Sequence, residues 1–130
     1  MPAAPHPTEG ELAILRTLWA RKAPMTVREV HAELSKGKDT AYTTVLKMLT
    51  IMADKGLVHR YESERSQAYT PVHPEPVVQR SLVRDLVRRA FAGSAASLVQ
   101  RALDDGVASD RELDEIARLI AEAKAKRAAK

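Results

Sequence analysis

The chain has 130 residues and no cysteine, and its 21 Lys and Arg against 17 Asp and Glu give a formal net charge of +4. The absence of cysteine excludes disulfides, thiolate metal sites and cysteine nucleophiles, and the four histidines lack ligand spacing, so no metal or cofactor is expected. Without a signal-peptide pattern or an apolar run approaching ~20 residues, the chain is predicted to be cytoplasmic, with no membrane partner.

The first two helices are predicted from the same N-terminal signal. Thr8 and Glu11 form a Thr-x-x-Glu capping box ahead of leucines at helical spacing, which predicts a helix over about residues 9–21. Thr26 and Glu29 repeat that box, so a second and shorter helix should follow. The apolar residues of these helices and of the next one are expected to form the core, with Leu15, Leu18, Trp19, Val30, Leu34, Val45, Leu49 and Met52.

A third helix and a β-hairpin complete the first half of the chain. The helix is predicted over about Thr40–Lys55, where apolar residues recur along one face, and Gly56 is expected to end it. Residues 57–62 and 67–72 then read as two strands joined by the polar turn 63–66. Three helices followed by a hairpin is the order of a winged helix-turn-helix, in which the hairpin is the wing.

The second half of the chain is predicted to be helical throughout. Pro74 and Pro76 interrupt the chain, so a winged helix-turn-helix domain is assigned to residues 1–73 and a helical domain to residues 74–130. The first domain already has a sufficient core, and a second copy of the chain is therefore the expected cover for the later apolar stripes. The residues expected at this dimer surface are Leu82, Leu86, Leu98, Leu103, Ile116 and Leu119.

The third predicted helix carries a face rich in threonine opposite its apolar stripe. Threonine hydroxyls and a lysine can contact phosphate oxygens or base edges, and threonine methyls can pack on thymine methyls. Threonine is a poor choice for helicity alone, which favours DNA contact over a merely solvated surface. The predicted contact residues are Thr40, Tyr42, Thr43, Thr44 and Lys47, with Arg65 in the wing turn, where an ordinary polar turn is the open alternative.

Two other classes of protein are alternatives to a DNA-binding protein. A winged fold can serve as a protein-interaction module without specific DNA binding, and DNA retention that falls with salt would distinguish the two. An enzyme is not indicated, because no nucleophile and base pair, carboxylate dyad or metal-ligand spacing stands out.

The stretch TAYTTVLKMLTIMADKGLV, residues 40–58, resembles the recognition helix and following strand of the penicillinase-repressor family, of the BlaI/MecI type. The resemblance continues through LRTLWARKAPMTVREVHAEL, QAYTPV and LVRDLVRRAFAGSAASLVQRAL, and it covers about Thr8 to Glu122. It implies a homodimeric repressor that binds a dyad operator upstream of resistance or stress genes. By position, it also implies that the six contact residues named above face the DNA.

This sequence departs from the family pattern in ways that concern the operator and the inducer. Some members have Thr at the position of Lys47 and Arg at that of Ile51, so the operator can differ from the usual one. Members that respond to β-lactams are cleaved at an Asn-Phe bond, where this chain has Arg101 and Ala102, and copper-responsive relatives use a cysteine cluster that is absent. The inducing signal therefore stays open, with release through a sensor or protease partner as one alternative.

Overall fold

The computed structural model describes residues 6–62 and 66–129. These residues form six helices and three short strands, in the order α1 (Glu9–Arg21), β1 (Met25–Thr26), α2 (Val27–Ser35), α3 (Tyr42–Asp54), β2 (Val58–Glu62), β3 (Gln67–Pro71), α4 (Glu75–Ala90), α5 (Ala95–Asp104) and α6 (Asp110–Ala128). The mostly helical fold with a small β-hairpin wing that the sequence predicted is confirmed.

The starts of α1 and α2 are fixed by the two capping boxes that the sequence predicted. The Thr8 hydroxyl accepts a bond from the Glu11 N–H at 3.2 Å, and the Glu11 carboxylate accepts one from the Thr8 N–H at 2.9 Å. Thr26 and Glu29 form the same pair of bonds at 3.2 and 3.0 Å. Each box satisfies two backbone donors that have no partner inside the helix, which stabilises the helix start.

The three strands form one antiparallel sheet in the order β1-β3-β2. The predicted hairpin pairs Val58 with Pro71 and Glu62 with Gln67, so Pro71 lies at the end of its strand, where a missing N–H costs least. Strand β1 was not predicted, because two residues are too short to show an alternating pattern. Its second residue, Thr26, is also the N-cap of α2, so the sequence around it was assigned to the helix instead of to a strand.

The hydrophobic core lies between α1, α2, α3 and the sheet. Trp19 and Leu34, which were expected inside it, are only partly buried and pack against its edge. The Trp19 indole N–H donates to the His73 carbonyl at 3.0 Å, as an indole removed from water needs a partner. The buried members are Ile14, Leu15, Leu18, Met25, Val27, Val30, Val45, Leu49, Met52, Leu57, Val58 and Tyr69.

Helix α3 begins at Tyr42, two residues later than the sequence predicted. The residue before it, Ala41, has an extended backbone with φ −70° and ψ 141°. The Thr40 hydroxyl donates to the Lys38 carbonyl at 3.0 Å, a local bond of the kind by which threonine competes with helix formation. Thr40 therefore precedes the helix instead of lying on its exposed face.

The chain divides into two compact units, Met1–Arg84 and Asp85–Lys130, and the division falls inside α4. The first turns of α4 belong to the first unit, where Val78 is almost completely buried. The domain boundary assigned between residues 73 and 74 coincides with the start of α4 instead of this division. In the second unit, none of the residues that the structure describes is buried.

Candidate nucleic-acid interface

Helix α3 has one fully buried face and one exposed face. Val45, Leu49 and Met52 have no exposed surface and anchor the helix in the core. Four of the predicted contact residues, Tyr42, Thr43, Thr44 and Lys47, are exposed. The helix therefore presents hydroxyl groups, an aromatic ring and an ammonium to solvent. Lys47 follows Thr43 and Thr44 by four and three residues, a spacing at which side chains share a helix face.

The hydroxyl groups on the exposed face of α3 differ in availability. The Thr50 hydroxyl donates to the Leu46 carbonyl at 2.9 Å, inside the helix. Within the described part of the chain, the hydroxyls of Thr43 and Thr44 have no hydrogen-bond partner, and Lys47 makes no ion pair. These three side chains can bind a ligand without breaking an existing bond.

A cleft of about 560 Å³ lies between the start of α2, the first turns of α3 and the base of the wing. Its lining includes the polar residues Arg28, Tyr42, Ser66 and Gln67 and the apolar residue Leu46. Arg28 makes no ion pair with any described residue. The cleft thus offers several hydrogen-bond donors and one cation, a combination that suits the phosphates and sugars of a nucleic-acid strand.

From the sequence alone, Arg28 is an ambiguous surface cation, and nothing groups Leu46 or Gln67 with the predicted contact residues. Arg28 follows the cap of α2, Leu46 interrupts the polar face of α3, and Gln67 begins β3. They meet because the sheet brings the base of the wing beside both helices. The one local signal was Arg28 itself, a cation in the first turn of a short helix.

The C-terminal end of α3 is held by an ion pair with α1. The Lys55 ammonium donates to both oxygens of the Glu11 carboxylate, at 2.7 and 3.0 Å, and the Glu11 side chain is only 6% exposed. Burial raises the pKa of Glu11, but hydrogen bonds from Lys55 and Thr8 outweigh it and hold the pKa below the ordinary 4.5. This pair holds the C-terminal end of α3 against α1.

The remaining predictions concern the wing residue Arg65, metal binding and membrane spans. Arg65, the predicted wing contact, lies outside the described residues. Among the residues that are described, no cluster of His, Asp and Glu could hold a metal ion. Across the same residues, no helix is both long enough and apolar enough to cross a membrane.

The residues predicted for the dimer surface lie on α4, α5 and α6, and three of the six are exposed. Leu86, Leu103 and Leu119 are 47%, 40% and 51% exposed. The other three, Leu82, Leu98 and Ile116, are partly buried. Large apolar side chains at this exposure leave apolar surface in water, which a partner surface would cover.

Comparison with known proteins identifies relatives over almost the whole length of the chain. The family model for the penicillinase repressor matches residues 7–122. The transcriptional regulator BlaI of Mycobacterium tuberculosis is 35% identical over 115 residues, which cover 88% of this chain and 83% of that protein. The penicillinase repressor of Bacillus licheniformis is 25% identical over 124 residues, which cover 95% of this chain and 96% of that one.

A solved structure matches part of the fold. The solution structure of the Bacillus licheniformis BlaI monomeric form, in complex with a half-operator, aligns with a TM-score of 0.50 and 27% identity. The match covers 59% of this chain and 93% of that one.

Proposed function

This chain belongs to the penicillinase repressor family of transcriptional regulators, which are not enzymes, and we propose that it represses transcription by binding a dyad operator as a homodimer. The observation that carries the proposal is the exposed face of α3 beside a polar cleft, where Thr43, Thr44 and Lys47 have no side-chain partner among the described residues. In this proposal, α3 is the recognition helix that enters the major groove.

The residues of α3 have separate parts in this proposal. Lys47 reaches a guanine edge, and Thr43 and Thr44 contact phosphates or base edges and pack on thymine methyls. Tyr42 lies at the helix start, and Thr40 precedes it, so these two approach the backbone beside the groove. The first turn of α3 carries no acidic residue, which leaves the positive end of the helix dipole open to a phosphate.

The cleft beside α3 is proposed to take the backbone of one DNA strand. Arg28 pairs with a phosphate oxygen there, and the Gln67 amide donates to a neighbouring phosphate or sugar. From its position in the wing turn, Arg65 is assigned a further backbone contact. These contacts supply affinity that is largely independent of the base sequence and that falls with salt.

The second unit is proposed to pair two copies of the chain. Several of its large apolar side chains are exposed and none of its described residues is buried, which is the state expected of an interface without its partner. A Bacillus licheniformis BlaI monomer was solved on a half-operator. If one domain of this chain likewise takes one half-site, a dyad operator requires two domains, joined by the second unit.

Control of resistance or stress genes is proposed from the family, as is action in the cytoplasm, where the DNA target is. An inducing signal must then release the operator. Arg101 and Ala102 lie within α5 and are exposed. Proteolysis through a sensor or protease partner would need local unfolding of a helix before cleavage in this region.

Selection of duplexes from a random-sequence DNA pool, followed by footprinting, tests the proposal. We expect a selected sequence with dyad symmetry whose half-site centres lie about 34 Å, or a small multiple of that distance, apart, so that both copies of α3 meet the same side of the duplex. Retention should fall steeply with salt. A protein-interaction module would select no sequence and bind little DNA at any salt concentration, and either result would refute the proposal.

A further inference from the structure

The start of α3 differs from the starts of four other helices in how it is held. Helices α1, α2, α5 and α6 each begin with a threonine or serine whose hydroxyl accepts a backbone N–H bond. The corresponding residue of α3 is Ala41, which cannot make such a bond. Loss of a side-chain cap destabilises a helix start, and a contact from another group can offset that loss.

That group is His31, on α2. Its Nε2 atom lies 2.7 Å from the Thr40 carbonyl oxygen, two residues before α3. A carbonyl oxygen can only accept, so Nε2 carries the hydrogen and donates it. The bond joins α2 to the segment that leads into α3, across nine positions of sequence.

The imidazole ring makes a second contact on the other side of Ala41. The rings of His31 and Tyr42 meet edge to face, with centroids 5.7 Å apart and planes inclined by 72°. This is a favourable arrangement for two aromatic rings. His31 thus contacts the residue before the helix cap and the first residue of the helix, and it fixes both against α2.

Because His31 contacts a backbone carbonyl, it leaves the N–H groups at the start of α3 without an acceptor in the described part of the chain. A capping hydroxyl accepts from the first free N–H groups of a helix and so occupies them. His31 instead donates to a carbonyl outside the helix. In the described residues, the N–H groups of Tyr42 and Thr43 keep no acceptor, and they remain available to a phosphate.

We propose that His31 is a positioning residue for DNA recognition, which sets the start and angle of α3 through the Thr40 carbonyl and the Tyr42 ring while leaving the helix N–H groups free. The inference rests on the proposed function, because it assigns to His31 a part in the same recognition. His31 is partly buried on α2 and need not touch DNA itself.

The test compares His31→Phe with Trp19→Phe. Each change removes one side-chain donor to a backbone carbonyl and keeps an aromatic ring, but the Trp19 bond goes to His73, away from α3. Binding is measured to the duplex that the unaltered protein selects from a random pool and to a shuffled duplex of the same composition. His31→Phe should weaken selected-duplex binding about tenfold, since a dimer loses two bonds, and shuffled-duplex binding less than about twofold.

A control variant and two amide variants of His31 separate a positioning role from a general effect on stability. Trp19→Phe should leave the ratio of the two affinities within about twofold of its original value, whatever it does to the melting temperature. His31→Gln keeps an N–H donor of suitable length and should recover most of the ratio. His31→Asn carries the same amide on a side chain one carbon shorter, which cannot reach the Thr40 carbonyl, and it should not recover the ratio. The comparison of His31→Gln with His31→Asn also tests the proposal if His31→Phe fails to fold.

Three results would overturn the role of His31. They are equal affinity ratios in His31→Phe and Trp19→Phe, equal binding by His31→Asn and His31→Gln, and unchanged amide NMR signals of Tyr42 and Thr43 when the donor is removed. The NMR measurement needs no DNA and decides the positioning role in every case. An unaltered protein that selects no duplex refutes the proposed function, whereas one that selects a duplex while His31→Phe keeps its ratio refutes only this inference.

Discussion

Two cations beside the start of α3 are proposed to contact DNA in different ways. Lys47 stands on the exposed face of the helix, and Arg28 lines the cleft next to it. Both are free of ion pairs among the described residues, so neither must give up a partner on binding. Their separate positions allow base reading and backbone binding to be measured independently.

We predict that Lys47→Ala weakens binding to the selected duplex by about 1–3 kcal/mol and leaves binding to other sequences nearly unchanged, as loss of a base contact should. Thr43→Ala should act in the same direction.

Arg28→Ala should weaken binding to all sequences alike and reduce the slope of affinity against salt by about one unit. Titrations at several salt concentrations measure both effects, and relaxed specificity in Arg28→Ala alone would reverse the assigned roles.

The ion pair between Lys55 and Glu11 is predicted to make stability depend on acid pH. Because the pKa of Glu11 in the folded chain lies below 4.5, its contribution is fully present above that pH and is lost as pH falls through the lowered value. Lys55→Met should therefore lower the free energy of unfolding at pH 7 by about 1 kcal/mol, a figure discounted because Lys55 is partly exposed. It should also flatten the loss of stability between neutral and acid pH.

Lys36→Met is the control for that prediction. Lys36 pairs with Glu33 at 2.9 Å on the surface of α2, and the lysine side chain is 71% exposed. Exposed pairs of this kind contribute about 0–1 kcal/mol, so neither stability nor its pH dependence should change much. Equal acid profiles for the two variants, measured by denaturant unfolding, would show that the Glu11 pair does not hold α3.

At the scale of elements, the end of α3 is set by a glycine motif. The Gly56 N–H donates to the Ala53 carbonyl at 3.2 Å and the Leu57 N–H to the Met52 carbonyl at 2.9 Å, which together form a Schellman cap. Gly56 has φ +79°, in the left-handed region that costs other residues energy. The motif turns the chain from α3 into β2 and places Leu57 in the core.

We predict that Gly56→Ala lowers the free energy of unfolding by about 1–2 kcal/mol, although no atom lies within 4 Å of the added methyl group. The cost comes from the backbone angle and not from a clash. Gly37→Ala is the matched control, because that site is equally open and its φ is not positive, so its stability should be unchanged or slightly raised. A similar loss at both sites would contradict this explanation.

Sequence patterns predicted the elements whose signals are local. The capping boxes at Thr8 and Thr26 and the glycine stop at Gly56 involve neighbours in the chain, and the structure has all three. The start of α3 was misplaced because its anchor is His31, nine positions away from Thr40 and on another helix. Helical periodicity alone does not contain such a contact.

The candidate site was predictable only in part for the same reason. The exposed face of α3 follows from its 3.6-residue period, and Thr43, Thr44 and Lys47 are exposed as expected. The cleft that adds Arg28 and Gln67 depends on how β3 pairs with β1 beside α2, through Met25 opposite Tyr69 and Thr26 opposite Ala68. A two-residue strand leaves too little pattern for that pairing to be read from the sequence.

At the scale of the whole molecule, the two units differ in how they are stabilised. The first unit, Met1–Arg84, contains every buried residue that the structure describes, including Val78 in α4. The second unit has helices with caps and surface ion pairs but no buried residue in its described part. Most helical stability comes from burying an apolar face, so the second unit needs another surface to be stable.

From this difference we predict that residues 1–84 fold alone as a monomer and bind the operator weakly, whereas the full chain is a dimer that binds it tightly through the linked second half-site. A fragment of residues 1–73 should be less stable than residues 1–84, because it lacks the buried Val78.

In the full chain, Leu119→Asp should separate the dimer and reproduce the weak binding of the fragment. Ala125→Asp, which adds the same charge to the opposite face of α6, should not. Sedimentation and operator titration measure both properties, and a fragment that stays dimeric or binds as tightly as the full chain would remove the second unit from its proposed role.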